Sequence, residues 1–119
     1  MARLRDLDPS FRHFASALAQ GLRLPSTSGK IVHLLAAPGR NLSVQEIVRR
    51  VRVSERSVRQ NLALLLRRGL LERRVLVTRT KKLAYTYALR SVDDLLAAAE
   101  REFTSTVTRL QLFARRAGT

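Results

Sequence analysis

The chain has 119 residues, which suits one domain, and 45% of them are apolar, enough to build a core. Its 23 lysines and arginines outnumber 9 acids, so the formal net charge is +14. Such a charge repels itself in the folded state and favours a polyanionic partner, nucleic acid first and an anionic membrane surface second. The alternative is that genomic base composition or adaptation to heat explains the arginines. Disulfides, thiolate metal sites and cysteine nucleophiles are excluded, because cysteine is absent.

Several function classes find no support in the sequence. Charged residues interrupt the N-terminus, which predicts no signal peptide, and no apolar run is long enough for a bilayer. His13 and His33 lie apart, without an acidic cluster that would suggest a metal site. There is no glycine-rich phosphate loop and no serine–histidine–aspartate arrangement. We therefore expect a soluble cytoplasmic protein that is not an enzyme and has no cofactor, no metal and no membrane partner.

Two helices are predicted first, each with one apolar stripe. The first begins at Asp8-Pro9, because aspartate caps and proline is tolerated in the first turn, and ends by Gly21 to Pro25. The Ser26-Thr27-Ser28 segment offers caps for the second, and Ala37-Pro38-Gly39 stops it. The apolar positions of the two helices recur at three- and four-residue steps: Leu4, Leu7, Phe11, Phe14, Leu18 and Leu22, then Ile31, Leu34 and Leu35.

A capped pair of helices follows a short extended piece at Asn41-Leu42. Ser43-Val44-Gln45-Glu46 has the pattern of a capping box and opens the third helix. Ser54 caps the fourth helix after a tight turn at Arg52-Val53, and Gly69 lies just past its end. The fourth helix turns Val58, Leu62, Leu65 and Leu66 to the core.

A β-hairpin and a long helix complete the chain. Val75 and Val77 alternate with polar positions after Leu71, and the run from Leu83 to Leu89 alternates cleanly, with the polar break Thr80-Lys81-Lys82 between them. Ser91-Val92-Asp93-Asp94 predicts a second capping box. The apolar residues of the last helix follow a near-heptad spacing: Leu95, Leu96, Ala99, Phe103, Val107, Leu110 and Phe113.

The motifs from Asn41 to Leu89, in this order, resemble the MarR/ArsR-like winged-helix regulators, and the whole layout is similar to the small archaeal Lrs-type proteins that pair through a terminal helix. The resemblance implies a mainly α fold with a small β-hairpin, a winged helix-turn-helix with an added N-terminal helix and a long C-terminal dimerisation helix. It assigns residues 1–24 to dimer support, 25–90 to DNA binding and 91–119 to dimerisation.

The fourth helix is the predicted recognition helix, because its flank opposite the leucines is polar at the leading end and small further along, as the major groove requires. Arginine bonds guanine bidentately and glutamine does the same with adenine. Arg56, Arg59 and Gln60 are therefore the expected base readers, with Ser57 assisting. Glu55 accepts from cytosine or, as we favour, supports the helix start electrostatically. The alternative is a solvated helix face on an ordinary bundle.

Three groups are expected at the DNA backbone. Ser43 and Ser54 stand at helix N-termini, where free amides bind phosphate. Arg49, Arg50 and Arg52 surround the end of the third helix, where they also complement its dipole. Arg79, Lys81 and Lys82 lie at the wing tip, suited to phosphates or an A·T-rich minor groove, although charge there also protects a strand edge. Arg73 and Arg74 are weaker candidates.

The last helix is expected to pair with its copy, since it cannot bury its own stripe and that of the first helix on so small a domain. An antiparallel homodimer would use Leu96, Phe103, Val107, Leu110 and Phe113; the alternative is that the helix folds back on its own domain. The sequence thus predicts a homodimeric, sequence-selective regulator of double-stranded DNA, a repressor associated with the nucleoid. The alternatives are a weakly specific DNA-coating protein and a winged-helix subunit that binds protein. A small-molecule effector is left open.

Overall fold

The computed structural model describes residues 9–118. Within these residues the chain forms five helices and one hairpin: α1 (Pro9–Gly21), α2 (Ser26–Leu35), α3 (Val44–Val51), α4 (Glu55–Arg67), β1 (Leu71–Val77), β2 (Leu83–Leu89) and α5 (Val92–Arg116). The order is the predicted one. The predicted cap at Asp8 and the stripe residues Leu4 and Leu7 lie outside the described residues.

One apolar cluster holds these elements together. Its centre is built from α2, α3 and α4, where Ile31, Ile47 and Leu65 are fully buried. Leu18 of α1 and Leu95 of α5 join the same cluster. The C-terminal part of α1 and the N-terminal part of α5 are therefore anchored on the body formed by α2, α3 and α4. Packing within this body fixes the orientation of α4.

The hairpin is attached to this body at its base. β1 and β2 pair antiparallel, from Leu71 opposite Leu89 to Val77 opposite Leu83. Leu42 adds a bridge to the base, because its N–H donates to Tyr87 O at 3.0 Å and its carbonyl accepts from Tyr87 N at 2.8 Å. The outer half stands clear of the body, so the valines that alternate as predicted are exposed, Val77 by 70%.

Two predicted caps are corrected by the structure. The serine and threonine caps expected for α2 are wrong, because the helix starts directly after Pro25, whose extended backbone is the cap, with no side-chain cap bond. Ser28 is instead fully buried and donates to Asn61 Oδ1 at 2.5 Å. Ser91 does cap α5, because its hydroxyl accepts from Asp94 N. The Asp94 carboxylate, however, lies 3.2 Å from Arg90 Nη2. Only the serine half of the predicted capping box is therefore formed.

No helix among residues 9–118 is long and apolar enough to cross a membrane.

Candidate nucleic-acid interface

The helix-turn-helix is shaped by local hydrogen bonds at both of its helix starts. The Ser43 hydroxyl accepts from Glu46 N at 3.2 Å, while Glu46 Oε1 accepts from Ser43 N at 3.0 Å, which confirms the predicted capping box. This backbone hydrogen bond, more than the Ser43 hydroxyl, lowers the pKa of Glu46 below 4.5. Arg52 ends α3 in a left-handed conformation, φ 57°, and Ser54 accepts from Ser57 N at 3.1 Å. The turn between α3 and α4 is therefore tightly defined.

The outer flank of α4 carries the predicted base readers. Val58, Leu62 and Leu65 are buried on its inner side. Ser57 is half-buried, and its carbonyl accepts from Asn61 Nδ2 at 2.8 Å. The exposed residues on this flank include Arg56, Arg59, Gln60 and the small Ala63. The structure thus brings the three long side chains to one open face and leaves Ser57 at its margin.

Glu55 links the two helices of the motif, a contact that the sequence did not predict. Its Oε2 accepts from Arg59 Nε at 2.8 Å, one helical turn along α4. Its Oε1 accepts from Gln45 Nε2 of α3 at 3.1 Å. The bond from Arg59, then that from Gln45, lowers the pKa of Glu55. Gln45 was missed because only the fold brings it opposite Glu55.

The predicted backbone-contacting cations are all exposed. Arg49, Arg50 and Arg52 surround the C-terminal end of α3. The wing turn is closed by Thr78 N donating to Lys82 O and Lys81 N donating to Thr78 O, both at 2.9 Å. This turn presents Arg79, Lys81 and Lys82 to solvent.

Little of this charge is neutralised by carboxylates. Within residues 9–118 the arginines that form ion pairs are Arg59, Arg68, Arg74 and Arg90. Arg73 lies over the Tyr85 ring, 4.3 Å from its centroid. None of the described ion pairs involves the cations at the end of α3 or at the wing tip. Both groups of cations are therefore available to an anionic partner.

The outer face of α5 is apolar and open. Its buried residues are Leu95, Ala98 and Ala99, all in the first turns. Every residue from 103 to 118 is exposed. The predicted dimerisation residues all lie exposed on this helix: Leu96, Phe103, Val107, Leu110 and Phe113. Leu112, exposed by 46%, is a further apolar residue that the heptad analysis did not include.

An open cleft of 410 Å³ lies between the loop after α2 and the base of the hairpin, with Arg40, Arg74 and Arg90 in its wall. Among the described residues, no group of three histidine or acidic side chains is placed to hold a metal ion.

No protein-family model matches the chain, and no curated protein matches it in sequence. A possible transcriptional regulator from Methanosarcina mazei Go1 has a TM-score of 0.72 at 14% identity, with 86% of each chain covered. A MepR point mutant of S. aureus bound to an oligodeoxyribonucleotide has a TM-score of 0.55 at 19% identity over 90% of this chain and 78% of that one.

A third structure, of a transcriptional regulator, has a TM-score of 0.56 at 23% identity over 92% of this chain and 74% of that one. The fold is a winged helix-turn-helix. The predicted resemblance to winged-helix regulators is confirmed at the level of the fold, with α3 and α4 as the helix-turn-helix and the β1–β2 hairpin as the wing.

Proposed function

We propose that the protein is a homodimeric transcriptional regulator that binds double-stranded DNA, with α4 in the major groove and the wing tip on the backbone or in the minor groove. The observation that carries the proposal is the open flank of α4, where Arg56, Arg59 and Gln60 are all exposed. A helix that keeps its leucines on the body and its arginines outside is suited to entering a groove.

Base reading would come from the leading turns of α4. Arginine recognises guanine through O6 and N7, and glutamine recognises adenine through N6 and N7. Arg56, Arg59 and Gln60 supply these groups, and the half-buried Ser57 assists. The small Ala63 on the same flank leaves room for the groove floor. The capped N-terminus of α4 at Ser54 adds a partial positive charge for a phosphate.

Affinity would come mainly from the phosphates. The cations at the end of α3 and at the wing tip, with Ser43 and Ser54 at the helix starts, form the proposed backbone contacts. Each neutralised phosphate releases counterions, so binding should weaken steeply as salt rises. Contacts of this kind position the protein without reading sequence. A protein bound in this way to genomic DNA would lie with the nucleoid, and it would repress by excluding other proteins from the occupied site.

The exposed stripe of α5 supports a homodimer. Phe103 and Leu110, both more than half exposed, extend the stripe well past the anchored first turns of the helix. Pairing with a second copy would cover this apolar surface and place two recognition helices about 34 Å apart, one turn of DNA, which favours a palindromic site. In this arrangement residues 25–90 bind DNA, and residues 1–24 and 91–119 hold the dimer.

Sedimentation equilibrium tests the dimer. Leu110→Glu places a charge in the stripe and should shift the protein to monomer, while the adjacent Gln111→Glu should leave the dimer intact. A wild-type monomer at micromolar concentration, or a dimer unaffected by Leu110→Glu, would contradict the proposed interface.

Footprinting across genomic DNA tests the DNA-binding function. The wild type should protect discrete, symmetric sites and hold them with a preference of about a thousandfold or more over bulk duplex. The variant Arg56→Ala/Arg59→Ala should lose these sites, whereas the charge-matched Arg115→Ala/Arg116→Ala at the end of α5 should keep them. Unchanged binding by the first variant at moderate salt would refute α4 as the recognition helix.

A second candidate is favoured by the net charge of +14. A protein this basic binds any duplex, so a weakly specific coating role would use the same surface. Continuous protection without preferred sites, under competition with bulk duplex, would identify it. A protein-binding subunit would instead show normal partner binding after Arg56→Ala/Arg59→Ala.

A further inference from the structure

A three-residue chain of hydrogen bonds connects α3 to the middle of the DNA-facing flank of α4. Gln45 Nε2 donates to Glu55 Oε1 at 3.1 Å, and Arg59 Nε donates to Glu55 Oε2 at 2.8 Å. Both carboxylate oxygens of Glu55 are therefore engaged, one by each helix. The Arg59 side chain is 57% exposed, so it is held at one atom while most of it faces solvent.

The atom that is held matters for recognition. A guanidinium presents five N–H groups, and its terminal pair on Nη1 and Nη2 matches O6 and N7 of guanine. Because Glu55 takes the Nε edge, the terminal pair is left for a base, and no hydrogen bond within residues 9–118 engages it in this structure. An arginine held in this way has lost part of its conformational freedom before DNA arrives, and pre-organisation of that kind raises affinity.

We propose that Glu55 is a positioning residue, which with Gln45 behind it fixes Arg59 to read one guanine in each half-site. The inference rests on the proposed function and adds the base that this position reads. Glu55 is thereby assigned two opposite effects. It raises the preference for guanine by positioning Arg59, and it lowers the affinity for any duplex because a carboxylate near DNA repels phosphates.

The two effects predict opposite changes on substitution. Glu55→Gln removes the negative charge and weakens the hold on Nε. Affinity for a random duplex should therefore rise by a few-fold at low salt, since one repulsive charge is gone. Preference for guanine over adenine at the position of Arg59 should fall by about tenfold, the lower range of what one bidentate contact contributes. A role in folding alone would move both affinities together.

The experiment is selection from a random duplex library, followed by affinity measurements on the selected site and on its single-base variants. Wild type, Glu55→Gln, Arg59→Ala and Glu55→Gln/Arg59→Ala are compared, with Glu100→Gln as a charge-matched control on α5. Gln45→Ala tests the second bond and should give a smaller loss at the same base. Circular dichroism melting confirms that each variant is folded at the assay temperature.

The expected result is that Glu55→Gln and Arg59→Ala lose the same guanine and keep the rest of the site, and that Glu55→Gln has no further effect on base preference in the Arg59→Ala background. Three results would overturn the inference: an unchanged guanine preference in Glu55→Gln, a loss spread over all positions, or tighter binding to the selected site with the guanine intact, which would make Glu55 an inhibitor of Arg59. Wild-type binding with no base preference would also overturn it, yet would leave DNA binding itself standing. Only a wild type that ignores duplex DNA removes the proposed function as well.

Discussion

Arg68, the residue that ends α4, is bound at two points by Glu102 in α5. Arg68 Nε donates to Glu102 Oε2 at 2.8 Å and Nη2 donates to Oε1 at 2.5 Å. Nη2 also donates to the carbonyl of Leu22 at the end of α1, at 2.9 Å. The hydrogen bond to Glu102 raises the pKa of Arg68. One side chain thus joins the proposed recognition helix to both terminal helices.

Breaking this pair should destabilise the fold. The Arg68 and Glu102 side chains are 21% and 33% exposed, so solvent screens them only partly. Glu102→Gln leaves a half-buried guanidinium without its counter-charge and should cost about 1–2 kcal/mol, between the values of surface and buried pairs. Urea unfolding measures this cost. Glu100→Gln on the same helix serves as the control and should change stability by less than about 0.5 kcal/mol. Equal losses of stability in the two variants would contradict a stabilising role for the Arg68–Glu102 pair.

The capping box at Ser43 should make the acid stability of the protein depend on Glu46. The folded pKa of Glu46 lies below 4.5, chiefly because Ser43 N donates to the carboxylate. A lowered folded pKa gives stability that is present at neutral pH and is lost as pH falls from about 4.5 through the folded value. Glu46→Gln can still accept from Ser43 N but does not titrate. Thermal melts from pH 6 to pH 3 should therefore fall less steeply for the variant, and identical slopes would contradict the prediction.

The buried bond between α2 and α4 should be sensitive to a single hydroxyl. Ser28 is fully buried, and its removal leaves Asn61 Oδ1 without its donor. Ser28→Ala should cost about 1–2 kcal/mol in urea unfolding, since a stranded acceptor loses its solvation as well as its bond. Ser26→Ala, at the exposed start of the same helix, should cost almost nothing because no side-chain cap is formed there. A larger loss of stability in Ser26→Ala than in Ser28→Ala would contradict this prediction and would support the cap that the sequence predicted.

The wing cations should affect all DNA sequences alike. Arg79→Gln/Lys82→Gln removes two exposed charges at the tip, and each lost phosphate contact reduces the salt slope by about one. Affinity measured from low to moderate salt should therefore fall equally for the selected site and for random duplex. Lys81 is left in place because it occupies a positive φ of 59°. A loss confined to one base pair would instead indicate base reading by the wing.

Local chemistry was predictable from the sequence at several places where one segment contains both partners, although the predicted Ser91 box is only half formed because the Asp94 carboxylate pairs with Arg90. The Ser43 box, the Ser54 cap and the left-handed Gly69 after α4 all depend on residues within four positions of each other. The apolar periods also located each helix and both strands, because burial of one face is repeated along the element.

Contacts between distant segments could not be predicted in the same way. Ser28 meets Asn61 across 33 positions, and Arg68 meets Glu102 across 34. Serine near the start of a helix is a common cap, so the local sequence around Ser28 indicated capping and not a buried hydrogen bond. The Gln45–Glu55 bond was missed for the same reason, since it depends on the angle between α3 and α4.

The stretch of α5 beyond residue 102 touches little of its own body, and this has a consequence for how binding sites diverge. In a dimer paired along this stretch, the point where the two α5 helices cross sets the distance between the two α4 helices. A shift of the crossing by one heptad moves each recognition helix by about 10 Å relative to the crossing, so in an antiparallel pair their separation changes by about 20 Å, close to six base pairs of duplex. The spacing between half-sites can therefore change through substitutions in this part of α5 alone, while the base sequence recognised in each half-site stays the same.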